Sequence, residues 1–202
     1  MSDTQQMRGQ AYISLSQLLQ RPSGELLTFI DSSGFQELWL KVEQAYGIQY
    51  PKSWEAAELP DMEKWDEMWR KTMGPVHPLA SPIESLYKVW TRDPSCEMPF
   101  ANQKGLLLSD WGRHMEALLI KAGFEIPPQF AHCPDHLVLV FEYVSLLVED
   151  ASTEDQLLFA KHHLDWLEDL VEAAKNKNVP ELYQDLYYLC LQYVKADILI
   201  AD

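Results

Sequence analysis

The 202 residues include 16 basic and 31 acidic side chains, a net charge of −15 with the histidines neutral, and 47% of them are hydrophobic. That is enough apolar material for one sizeable folded domain, while the acidity disfavours nucleic acid and anionic membrane as partners and suits a basic ligand. The start Met1-Ser2-Asp3-Thr4 has no basic segment leading into an apolar run, and no stretch approaches the roughly 18 apolar residues of a membrane span, so a cytoplasmic chain without stable membrane insertion is expected. Cys96, Cys133 and Cys190 are odd in number and widely spaced, which suggests reduced thiols rather than a disulfide framework or a zinc pair.

Taken in order, residues 5 to 20 place Met7, Ala11, Leu15, Leu18 and Leu19 on one helical face, and Pro22 closes the helix. Short helices are predicted over Glu25 to Asp31 and Phe35 to Tyr46, separated by Ser32-Ser33-Gly34 and ended by Gly47. Ile48 to Pro60 reads as a connection. Met62, Trp65, Trp69 and Met73 then mark an amphipathic helix, with the two tryptophans serving either as core or as a soft groove for an apolar peptide.

From Gly74 to Trp90 three prolines precede Ile83 and Leu86, predicting a loop that enters a short helical piece. Gly105 to Ala122 is predicted as one long helix with Gly123 at its end. Pro127, Pro128 and Pro134 forbid a helix through the next connection, and Leu137 to Asp150 is strongly apolar at helical spacing. Asp135 and His136 stand at that helix entrance, where a carboxylate meets the free N–H groups and the positive end of the helix dipole.

Thr153 and Gln156 suggest a capping box for a helix running to Lys175, with His162-His163 read as one exposed and one partly buried imidazole. Pro180 suits the first turn of a last helix carrying Leu182, Leu186, Leu189 and Tyr193. No strand-like alternation of useful length and no internal repeat occur. The expected fold is all-α, a single helical bundle over 1–202. It divides loosely into N-terminal helices 1–123, a proline-rich hinge at 124–134 and C-terminal helices 135–202, which leaves either a monomer or a domain-swapped homodimer open.

His132, Cys133, Asp135 and His136 form a list of metal-ligand types, but Pro134 separates His132 from the helix, so no metal site is expected. No nucleophile with a base and orienting group is evident, Ser85 has no Gly-x-Ser-x-Gly setting, and no phosphate-cradling glycine loop exists, so no catalytic residues are assigned. Two other readings stay open: a small hydrolase acting on nucleotides through Asp135 and His136, and a structural adaptor in which Asp135 caps a helix and His136 packs.

Three separated signatures point further. Gly74-Pro75 followed by Pro82-Ile83-Glu84-Ser85-Leu86-Tyr87, the Pro134-Asp135-His136-Leu137 segment, and His163-Leu164-Asp165-Trp166 occur in this order, with Arg8, Tyr12 and Leu15-Ser16 before them. The chain thereby resembles the TorD/DmsD family of redox-enzyme maturation chaperones, which includes the NarJ-like proteins, over nearly its whole length. The resemblance implies a TorD-like all-helical fold and a non-enzymatic task. That task is binding the N-terminal leader, often a twin-arginine signal peptide, and the apo form of a molybdoenzyme catalytic subunit during cofactor insertion. The molybdopterin cofactor belongs to that client, and none is expected on this chain.

The family's Leu-Phe pair before Gly74-Pro75 is replaced here by Lys71-Thr72-Met73, and the acid that often precedes the hinge motif by Ala131-His132-Cys133. The peptide-binding set carried over is therefore Gly74, Pro75, Pro82, Glu84, Ser85, Tyr87, Pro134, Asp135 and His136. Trp69 and Ile83 join it on local physical grounds.

Overall fold

Leu137, Val138, Leu139, Val140 and Phe141 are all buried in succession. A helix whose first turns are apolar on every side has no face for water there and belongs at the centre of a bundle. This is α6 (Leu137–Asp150). The computed structural model describes residues 2–201, with side chains through 198, and the described residues are helical apart from turns and one isolated β-bridge.

Helix α1 (Asp3–Leu18) begins with a capping box in which Ser2 accepts the Gln5 N–H and the Gln5 side chain accepts the Ser2 N–H. It crosses α6 closely at Gly9, where an added Cβ would stand 3.3 Å from Ser145 Oγ. Helices α2 (Gly24–Ile30) and α3 (Ser33–Tyr46) follow as expected, and Gly47 ends α3 in the left-handed conformation at φ 69°. Helix α4 (Met62–Met73) is capped by Asp61. It buries Trp65 edge-on against Trp54, with centroids 5.8 Å apart. The last helix, α9 (Glu181–Ala201), closes the bundle. Asp197 on α9 accepts hydrogen bonds from Arg8, Tyr12 and Tyr46, a polar tie between the two ends of the chain that sequence reading did not find.

Four expectations are corrected. Helix α5 spans Asp110–Lys121 and does not start at Gly105, because Gly105 and Leu108 take left-handed backbone at φ 87° and 54°, which cannot propagate a right-handed helix. The helix expected over 153–175 is two, α7 (Thr153–His163) and α8 (Leu167–Asn176). No proline or glycine marks this break; instead the Trp166 indole N–H donates to the His163 carbonyl and Lys88 Nζ to the His162 carbonyl, satisfying the carbonyls that a terminating helix exposes. The cap of α7 is Ser152, which accepts the Asp155 N–H, and not Thr153. The cap of α6 is His136, whose Nδ1 accepts the Val138 N–H at 3.2 Å, and not Asp135.

Candidate functional site

The segment after α4 turns back on its own helix: Leu79 and Ala80 donate N–H bonds to the Lys71 and Thr72 carbonyls. Gly74 is required at the reversal, since a Cβ there would lie 2.6 Å from the Arg70 carbonyl oxygen. The turn leaves Pro75 and Val76 at the surface. Trp69 on the adjoining helix is half-buried and donates its indole N–H to the Leu19 carbonyl.

The chain then meets the entrance of α6. Ile83 and His136 form an antiparallel bridge, flanked by the Glu84 N–H on the Asp135 carbonyl and the Leu137 N–H on the Pro82 carbonyl. The first orphan N–H groups of α6 are thereby satisfied by Pro82 and His136.

Asp135 is fully buried, and its Oδ2 accepts both the Ser85 N–H at 2.7 Å and the Ser85 hydroxyl. Ser85 Oγ also lies 2.6 Å from Ser109 Oγ at the start of α5. This explains why Ser109, the cap position of α5, makes no side-chain cap bond. Gly112 completes the enclosure: an added Cβ would stand 3.3 Å from both Asp135 Oδ1 and Ser85 Oγ, and among the described residues Oδ1 has no hydrogen-bond partner. Burial, and to a lesser degree the Glu84 charge, push the Asp135 carboxyl above its usual range, against the Ser85 bonds that pull it down.

Glu84, one residue earlier, is also fully buried. Lys88 Nζ and His163 Nδ1 each stand 2.8 Å from one of its carboxylate oxygens. Lys88 additionally pairs with Asp165 and lies 3.9 Å from the centre of the Trp111 ring. Tyr87 stacks on Trp166 with centroids 5.1 Å apart and planes 17° from parallel.

All three sequence signatures therefore meet in one joint. Glu84 reaches His163, Ser85 reaches Asp135, and Tyr87 reaches Trp166. Of the expected site residues, Pro82, Ile83, Glu84, Ser85, Pro134, Asp135 and His136 lie inside the joint, while Trp69 and Tyr87 are half-buried and Pro75 is exposed. His163 is 1% exposed, more deeply enclosed than expected, and His162 is the exposed member of the pair. Lys88, Ser109 and Gly112 were not singled out from sequence, because nothing in their local pattern separates a joint-forming residue from an ordinary one. Burial holds His136 neutral, lowering its pKa to about 3, and with Nδ1 accepting a bond its proton resides on Nε2.

Among the described residues no three His, Cys, Asp or Glu side chains are gathered as a metal site. No described helix is long and apolar enough to cross a membrane.

The all-helical bundle is the architecture expected from the motif resemblance, whereas the closing of its signature segments on one buried joint was not expected. A family model described as the nitrate reductase delta subunit matches residues 55–184, most of the chain and the whole joint, and the chain belongs to that family. It is similar to a chaperone protein TorD from Shewanella piezotolerans (strain WP3 / JCM 13877), 27% identical over 120 residues, which are 59% of this chain and 53% of that relative. The match thus spans about half the length of the relative.

Proposed function

We propose that this chain is a redox-enzyme maturation chaperone that holds the N-terminal leader of a molybdenum-cofactor oxidoreductase, in the cytoplasm, until cofactor insertion is complete. The observation that carries the reading is the joint itself. The segments shared with the family interlock through Glu84, Ser85 and Asp135, and the turn that follows α4 leaves Pro75 and Val76 exposed while Trp69 on that helix is half-buried. The partly exposed Trp69 and the exposed Pro75 and Val76 receive the apolar part of the leader, while Glu84, Ser85, Asp135 and His136 set the backbone of the segments that follow. A net charge of −15 draws in the basic part of the peptide. Full burial of Asp135, with Ser85 bonded to its Oδ2, supports a non-enzymatic role over acid–base hydrolysis.

The 124–134 connection is the hinge of the same proposal, through which the C-terminal helices reorient or exchange between protomers. Titration with twin-arginine and arginine-free leader peptides tests the binding reading. Saturable binding that weakens as salt rises is expected; no saturable binding to any leader overturns it. A single monomeric species over a wide concentration range counts against exchange.

A further inference from the structure

Glu84 accepts a hydrogen bond from Lys88 on one oxygen, and its other oxygen faces His163 Nδ1. A carboxylate in an ion pair only accepts, so His163 Nδ1 carries its proton toward Glu84 and the neutral ring has a lone pair on Nε2. His114 Nδ1 stands 2.8 Å from that Nε2 and is therefore the donor. His114 Nε2 is left with a lone pair, on a side chain that lies at the surface of α5. The two rings have centroids 4.9 Å apart and planes 29° from parallel, as in an edge-to-edge hydrogen-bonded pair.

Proton counting gives this chain of groups a property that neither histidine has alone. One proton added at His114 Nε2 leaves every hydrogen bond intact. A second has only His163 Nε2 to go to, the acceptor on which His114 depends.

We propose that the His114–His163 hydrogen bond is an acid-released bolt between α5 and α7, a bond that holds with one added proton and must open with two.

The surroundings resist that charge. The 82–88 segment contributes Glu84 and Lys88; the α7 side contributes His162 and, beyond its end, Asp165; Arg92 approaches Asp165 at 3.9 Å; Phe159 and Trp111 form apolar walls. With neutral histidines two acids oppose two bases, and each added proton tips the cluster positive. Burial and the neighbouring His163 hold His114 below the ordinary imidazole range, more than Glu84 restores. Opening the bolt removes one tie of the helix that supplies Ser109 and Gly112 to the Ser85–Asp135 joint, leaving the buried Met115 and Leu119 and the Trp111–Val89 bond to hold it, so acidification loosens the cover of that joint.

Long-range proton–nitrogen NMR on the full chain, followed from neutral to acidic pH, reads both tautomers and their titration. His163 and His114 are expected in the Nδ1–H form at neutral pH. Amide protection in α5 is expected to fall on acidification by up to about tenfold per pH unit once the second proton binds. His114→Gln, a surface change, is expected to remove that added pH response while His163 keeps its proton on Nδ1. An Nε2–H tautomer at His114, or an α5 protection profile that His114→Gln leaves unchanged, overturns the proposal.

Discussion

Ser85 and Asp135, 50 residues apart in the chain, share two hydrogen bonds on a single carboxylate oxygen inside a fully buried joint. Asp135→Ala leaves the Ser85 N–H without an acceptor and away from water. A loss of about 1–3 kcal/mol is expected in urea unfolding, and Ser85→Ala, which keeps the backbone bond, is expected to cost less.

Gly112 is in place because α5 passes directly over this pair. Gly112→Ala brings a methyl group to 3.3 Å from Asp135 Oδ1 and Ser85 Oγ, tight enough to require adjustment. Gly112→Val overfills the site and is expected to lower the unfolding free energy by about 1–3 kcal/mol. Equal stability of Gly112→Val and the parent protein would mean that α5 does not seat there.

Glu84→Gln removes the charge that Lys88 and His163 both address. Because Lys88 is 6% exposed, its ammonium loses a buried partner, and a loss of about 3 kcal/mol is expected in chemical denaturation. Asp165 and the His162 carbonyl remain to Lys88, so a further Lys88→Met change is expected to recover part of that loss.

His136 makes stability depend on pH. Its folded pKa of about 3 lies below the ordinary 6.5, so between those values the unfolded chain binds a proton that the folded chain refuses. Stability is full above pH 6.5 and falls as pH drops toward 3, by up to about 1.4 kcal/mol per pH unit from this residue. The raised Asp135 acts in the opposite sense, since it favours protonation of the folded form. His136→Asn retains an acceptor at the cap position and does not titrate. Urea midpoints of the two proteins between pH 6.5 and 4 are expected to converge as pH falls, because Asp135 is common to both.

The helices themselves were legible in the residues. The periodicity of Met7 to Leu19, the apolar run of Leu137 to Val148, and the stops at Gly47 and Gly123 are local signals, and local hydrogen bonding and burial on one face follow from them. The break between α7 and α8 was not, because it depends on Lys88 and Trp166 reaching the last carbonyls and on no breaker in the sequence. The cap of α6 was displaced by one residue for a related reason. Asp135 looks like a capping acid by its position, yet Ser85 claims its oxygen and the ring of His136 takes over the cap.

The motifs likewise named Glu84, Ser85, Asp135 and His163 without pairing them. Periodicity gives a residue a face on its own helix but carries no information about which distant segment meets that face. Composition determined an acidic chain with material for a large apolar core, and the spacing of the apolar residues made it all-helical. Only the tertiary structure decided that Glu84 and Asp135, which count among 31 acids in the sequence, are fully buried carboxylates, because desolvation and hydrogen-bond partners exist only once the segments have met.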